Sequence, residues 1–284
     1  MMNAKQNVAQ PLRAAIAAAG LKSCATICLM ASLPIGAACS TTGGFDRPDG
    51  RLTARPVDSR VGTLAQGRPG GVTTSSARGE HRLNLDPRRD AVLFVPSTPD
   101  ADRVPLLVLL HGAGGSGEGV LRRIRDAAEE AGVAVLAPDS RESTWDAVHA
   151  AFGPDVAFID RALARVFETL AVDPARVAIG GFSDGATYAL SLGLVNGDLF
   201  QRVVAFSPGF LVSGLRVGKP LVFISHGTSD QILPIDRTSR TIVPGLRERG
   251  YEVMFHEFEG GHEVPPAIAR EGVAWVKNSS SLPR

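Results

Sequence analysis

The stretch Val177-Ala178-Ile179-Gly180-Gly181-Phe182-Ser183-Asp184-Gly185-Ala186 constrains the fold more than any other part of this chain. An apolar run ends on paired glycines, presents one serine and passes at once into a helix-forming segment. Gly181-Phe182-Ser183-Asp184-Gly185 fits G-x-S-x-G, in which the serine sits on a sharp strand-to-helix turn. Glycines two residues to either side keep side chains out of the neighbouring strand and helix. Such a turn lifts the hydroxyl above the sheet edge, and the following helix aims its first amides at any oxyanion formed there. The alternative is an ordinary turn with a capping serine, in a chain that holds 31 glycines. The surrounding sequence decides between them.

From residue 80 onward, short apolar runs alternate with amphipathic stretches. His81 to Leu85 and Ala91 to Val95 read as early strands joined by a turn at Asp86-Pro87. Leu106 to Leu110 is continuously apolar, as a strand buried on both faces should be. Val133 to Ala137, Val177 to Gly180, Val203 to Phe206, Leu221 to Ile224 and Glu252 to Phe258 extend the set. Glu118 to Ala131 reads as a helix stopped by Gly132, and Val156 to Leu170 as one closed by Asp173-Pro174. Asp184 to Leu194 is a helix stopped by Asn196-Gly197, and Pro266 to Val276 is the last helix. Ser239 to Glu248 is helical too, with Pro244 expected to kink or break it. The alternation predicts an α/β fold with a mostly parallel central sheet of about eight strands and helices on both faces.

In such sheets the functional residues gather beyond the carboxyl ends of the strands. The chemical groups of this chain fall there. His111-Gly112-Ala113-Gly114-Gly115 follows one strand, and Ser183 the next in this set. Ser225-His226-Gly227-Thr228-Ser229-Asp230 and Glu259-Gly260-Gly261-His262 follow two more. Serine, aspartate, histidine is the chain order of the α/β-hydrolase triad. Ser183 is a weak nucleophile until a base removes its proton, and His262 is the side chain suited to take it. Asp230 would hold the imidazole in the right tautomer. The amides of Ala113 and Asp184 are the expected oxyanion donors. His111 and His226 also follow strands, but each directly precedes a glycine and reads as a loop-shaping residue. Asp236, after Pro234, reads as a helix cap.

Several segments carry a family resemblance: Leu109-Leu110-His111-Gly112, Gly180-Gly181-Phe182-Ser183-Asp184-Gly185, His226-Gly227-Thr228-Ser229-Asp230 with Pro234, and Gly260-Gly261-His262-Glu263. From about His81 to Val276 the chain resembles α/β-hydrolases of the phospholipase/carboxylesterase group, and more loosely the secreted polyhydroxyalkanoate depolymerase-like esterases. Asp139 to Asp146, with Phe152 to Val156, is similar to a subgroup of bacterial esterases or phospholipases. The resemblance implies an α/β-hydrolase fold and a serine esterase for small-molecule esters, with no metal or cofactor. It also supports Ser183, Asp230 and His262 as the triad. Many members of the group have glutamine after the nucleophile, where this chain has Asp184. That carboxylate suits a helix N-terminus but would bring negative charge close to the oxyanion.

The chain has 284 residues, 44% of them hydrophobic, enough for one domain of about 200 residues plus extensions. Net charge is +1 and no basic block follows the first few dozen residues, so nothing points to nucleic acid. The three cysteines, Cys24, Cys28 and Cys39, all lie near the N-terminus, which excludes disulfides and cysteine-held metals from the folded part. Lys5, Arg13 and Lys22 precede an apolar run from Ala25 to Ala38 that contains Pro34 and Gly36. Residues 1–38 are therefore expected to be an export signal. Gly36-Ala37-Ala38-Cys39 offers two outcomes: lipidation of Cys39, giving a membrane tether, or plain cleavage after Ala38. Residues 39–79, rich in Ser, Thr, Gly, Pro and Arg, read as a disordered tether, leaving 80–284 as the catalytic domain.

Trp145, Phe152, Phe210 and Leu233 lie on loops beyond strand ends. They are expected to line an acyl groove, with packing inside their own loops as the alternative. No long insertion suggests a lid domain, so an open cleft for small or medium acyl groups is expected. The same triad would serve a polyester depolymerase, a polysaccharide deacetylase or a peptidase. A non-catalytic hydrolase-fold binding protein is the reading of another class. The sequence leaves oligomeric state open.

Overall fold

The computed structural model describes residues 48–56, 78–97 and 103–277. Among them, eight strands form one sheet in the order β1-β2-β4-β3-β5-β6-β7-β8. The strands are β1 (Gly79–Arg82), β2 (Ala91–Val95), β3 (Val104–Leu110), β4 (Ala134–Pro138), β5 (Val172–Phe182), β6 (Arg202–Phe206), β7 (Leu221–Gly227) and β8 (Val253–Phe258). β2 runs antiparallel to both β1 and β4. The pairs from β4 across to β8 are parallel. This is the mostly parallel sheet that the alternation predicts.

Five helices cover it: α1 (Gly117–Ala131), α2 (Pro154–Thr169), α3 (Asp184–Val195), α4 (Ser239–Glu248) and α5 (Pro266–Lys277). Buried side chains of β3 alternate between the two faces. Leu106, Val108 and Leu110 join α2, α3 and α4 in one apolar cluster, and Leu107 and Leu109 join α1 and α5 in the other. α3 is apolar almost all round, and its residues from Gly185 to Val195 are buried, as expected of a helix enclosed on every side. That burial gives the turn before it a rigid base.

Several boundaries differ from the sequence reading. β1 ends at Arg82 rather than Leu85 because Asn84 turns to φ 54°. The buried Asp90 carboxylate then accepts the Asn84 and Leu85 amides. β5 starts at Val172, and Pro174 is accommodated where the register with β3 shifts. Pro154 opens α2 at its first turn, where the missing N–H costs nothing. α4 continues unbroken through Pro244.

The tether reading is corrected over residues 48–56, which dock on the catalytic domain. Leu52 is buried in the larger apolar cluster. Its amide donates to Asn196 Oδ1 at 2.8 Å, while Asn196 Nδ2 donates to the Gly50 carbonyl at 2.8 Å. The buried Asp160 carboxylate accepts from the Thr53 amide at 2.7 Å, the Thr53 hydroxyl at 2.6 Å and the Ala54 amide at 2.8 Å. Arg51 and Arg55 both bridge to Asp198. Composition alone could not show this, because one leucine and a few backbone amides fit ready-made partners. The expected tether also ends early, because Gly79 opens β1; the expected export signal, Cys39 and residues 40–47 and 57–77 lie outside the described residues.

Candidate active site

Ser183 stands between β5 and α3 with φ 59° and ψ −121°, a backbone conformation that costs a non-glycine residue about 1–3 kcal/mol. Three features hold it there. The Ser183 amide donates to the Phe206 carbonyl at the end of β6, 2.9 Å away. The Ser183 carbonyl accepts from the Thr187 amide at 3.0 Å, starting α3. The two elbow glycines also permit very close packing. A Cβ on Gly181 would lie 2.4 Å from the Gly185 carbonyl carbon, and one on Gly185 would lie 2.2 Å from the Leu110 oxygen. The glycines of the motif are thus required by contact with their neighbours.

The turn brings Ser183 to His262 and Asp230, as expected from chain order. His262 Nε2 lies 2.8 Å from Ser183 Oγ, and its Nδ1 lies 2.6 Å from Asp230 Oδ2. A carboxylate on one side and a hydroxyl on the other fix the tautomer: Nδ1 donates to Asp230, and Nε2 accepts from Ser183. The loops bearing Asp230 and His262 are stitched together by Thr228 N to Phe258 O and Ser229 N to Gly260 O, both 2.9 Å. Asp230 Oδ1 accepts the Ile232 and Leu233 amides at 2.9 and 2.8 Å. Burial works to raise the Asp230 carboxyl, but the Leu233 amide, His262 and the Ile232 amide outweigh it and hold it below the usual carboxylate range. The group stays ionised beside the imidazole. The rival Asp236 instead points to Arg240 at 2.7 Å on the surface.

The glycine loop after β3 lies against the elbow: a Cβ on Gly112 would sit 3.3 Å from Ser183 Cβ. The Gly114 amide is engaged by Ser143 O and the Gly115 amide by Gly112 O. The Ala113 amide has no such acceptor among the described residues. The Asp184 amide opens α3, where no carbonyl one turn back serves it. The two amides expected to receive an oxyanion are therefore available. His111 shapes this loop, as read from sequence. Its Nδ1 donates to Gly112 O at 2.7 Å, and its Nε2 accepts the Ser140 amide at 3.0 Å. Burial pushes the His111 imidazole down, favouring the neutral ring this pattern requires.

Two residues of the segment after β4 complete the arrangement, and the sequence reading missed one of them. Thr144 Oγ1 donates to Asp184 Oδ2 at 2.8 Å, so the carboxylate after Ser183 has a fixed partner. Trp145 Nε1 donates to the His111 carbonyl at 2.7 Å, with its ring stacked on Tyr188. Trp145 and Phe152 are corrected as groove residues: both side chains are buried, and Phe152 packs on Tyr188 and against Gly50. A loop position beyond a strand end does not reveal which way a ring turns. Phe210 is exposed, and Leu233 is half-buried beside Gly209. A cleft of about 240 Å³ does adjoin the glycine loop, lined by Ala113, Gly115, Val120, Arg123 and Phe182 among others. The Phe182 ring lies 4.8 Å from that of His262. No group of three or more side chains suited to hold a metal occurs among the described residues.

Comparison with known proteins bears on resemblance and fold. The family described as Phospholipase/Carboxylesterase matches residues 134–272. Feruloyl esterase C of Emericella nidulans is 31% identical over 158 residues, 52% of this chain and 57% of the relative. A protein of Aspergillus niger described as a probable feruloyl esterase C is 31% identical over 176 residues, 58% of this chain and 63% of the relative. The chain thus spans roughly three fifths of the length of these curated relatives. Among solved structures, an S-formylglutathione hydrolase of Staphylococcus aureus superposes with TM-score 0.58 at 17% identity, covering 70% of this chain and 99% of the other. The Bacillus cereus carboxylesterase does so with TM-score 0.53 at 19% identity, covering 68% and 95%. At such identities the structures speak to the fold alone. The chain has the α/β-hydrolase fold and is similar over residues 134–272 to the phospholipases and carboxylesterases.

Proposed function

We propose that this protein is a serine carboxylesterase working through an acyl-enzyme on Ser183. The observation that carries the reading is the continuous link from Ser183 Oγ through His262 to Asp230, at 2.8 and 2.6 Å. Ser183 Oγ attacks the ester carbonyl while His262 Nε2 takes its proton. The oxyanion is received by the amides of Ala113 and Asp184, and Asp230 stabilises the imidazolium. Collapse breaks the carbon–oxygen bond to the alcohol, which leaves with the proton from His262. Water then gives its proton to His262 and attacks the acyl carbon. The second collapse releases the acid and restores Ser183 Oγ–H.

The cleft beside Ala113 is lined by the glycine loop, α1 and Phe182 rather than by the triad itself. Esters of small or medium acyl groups are favoured because no long insertion among the described residues forms a lid domain. The relatives named for feruloyl esters bring hydroxycinnamate esters into consideration as well. Export is part of the proposal and rests on residues 1–38, with lipidation of Cys39 or plain cleavage after Ala38 as its two outcomes. No helix among the described residues is long and apolar enough to cross a membrane.

The test is turnover of an ester panel graded by acyl length and including a hydroxycinnamate ester. Ser183→Ala is expected to lower kcat/KM by about a thousandfold or more while leaving the fold intact. A wild-type protein with no turnover across the panel would favour a binding role. Activity confined to long-chain lipids would overturn the preference for small or medium acyl groups.

A further inference from the structure

Asp230 has two imidazole partners, and the reaction above uses only one. His226, at the end of β7, has a side chain with no exposed surface. Its Nε2 lies 2.8 Å from the Leu233 carbonyl and 3.1 Å from Asp230 Oδ2. Neither acceptor carries a proton, so Nε2 must, and it donates to both. Its Nδ1 lies 2.7 Å from the hydroxyl of the buried Ser239, the first residue of α4. In the neutral ring this nitrogen accepts from Ser239. Burial pushes the His226 imidazole down, which favours that neutral form.

Asp230 is then fully surrounded. Oδ1 takes the Ile232 and Leu233 amides, and Oδ2 takes His262 Nδ1 and His226 Nε2. A carboxylate offers about four acceptor directions, and all are in use. The carboxylate cannot turn away from His262 without breaking a buried hydrogen bond. The donor from His226 also draws charge from the same oxygen that stabilises the imidazolium of His262.

We propose that His226 is a positioning residue for the reaction: held by Ser239, it locks the Asp230 carboxylate and limits how strongly that carboxylate retains a proton on His262. The inference rests on the reading of Ser183, Asp230 and His262 as a triad. The titratable groups around His226 are Asp230, His262 and, paired with it across the strands, Glu257 of β8, which is bridged to Arg240 of α4.

The test compares wild type, His226→Leu, His226→Gln and Ser239→Ala. It measures kcat, KM and the rate of fluorophosphonate labelling of Ser183 across pH, with melting curves as a control for folding. His226→Leu is expected to lower kcat about tenfold to a hundredfold with KM changed less than about threefold. Its labelling profile should move its acid limb to higher pH by about half a unit, because an unopposed carboxylate holds the imidazolium more firmly. His226→Gln, which keeps a donor, should recover part of the rate. Ser239→Ala should move the limb in the same direction by less, and it decides the matter if His226→Leu fails to fold. A folded variant with the wild-type acid limb and kcat overturns the role of His226. A wild-type protein whose Ser183 never labels overturns the triad reading beneath it.

Discussion

At the scale of single residues, Asp184 is the departure that matters most. Its carboxylate, one residue from Ser183, accepts the Thr144 hydroxyl at 2.8 Å. Its backbone amide, rather than its charge, is what the proposed oxyanion site needs. Asp184→Asn keeps both that amide and an acceptor for Thr144, so activity on neutral esters should be retained or raised. A loss beyond about a hundredfold, far more than a charge bystander explains, would assign the carboxylate a direct role. Thr144→Val leaves a half-buried carboxylate without its donor and should lower kcat several-fold, measured on the same esters. The convergence of Ser183, Asp230 and His262 was legible because each follows a strand, in the chain order that the triad reading requires. Thr144 was not, because its partner lies 40 positions away and no local pattern marks a hydroxyl that crosses such a gap. His226 was visible as a residue beside a glycine, but its contact with Asp230 depends on how the loop after β7 folds back.

At the scale of elements, the turn between β5 and α3 and the segment after β4 cooperate. A methyl group at Gly185 would strike the Leu110 and His111 carbonyls at 2.2 and 2.4 Å. Gly185→Ala must therefore push the elbow out of place and should cost about a hundredfold or more in kcat/KM. Trp145→Phe keeps the ring stacked on Tyr188 but loses the bond to His111 O. Loosening the glycine loop in this way should lower kcat about tenfold, short of deleting an oxyanion donor outright. Kinetics on folded variants checks both. Strand and helix existence was legible from apolar runs and helix stops. The ends were less so, because φ at Asn84 and the register shift beside Pro174 are set by neighbours in space. The burial of Trp145 and Phe152 was hidden for the same reason.

At the scale of the whole molecule, residues 48–56 belong to the catalytic domain's packing. Leu52 is 2% exposed, so Leu52→Ala should destabilise the protein by about 2–5 kcal/mol, read from denaturant unfolding. A second global property comes from Asp155 and Asp146. Burial, and then the nearby Asp146 charge, push the Asp155 carboxyl up to about 7. The folded state therefore holds a proton that the unfolded chain releases near the ordinary carboxylate value, and this contribution to stability falls as pH rises from about 4 to 7. Buried His111 and His226, pushed down by burial, run the other way. The quantity to measure is thus the wild-type minus Asp155→Asn difference in Tm, which should shrink as pH rises through that window. A difference that is flat with pH would contradict it.

The measurement that tests the central claim most directly is mass spectrometry of the protein after reaction with a fluorophosphonate. A single adduct on the peptide bearing Ser183, formed at a rate that collapses in His262→Ala, is the predicted result. No adduct, or an adduct on another serine at an undiminished rate, would contradict the assignment of Ser183 as the nucleophile.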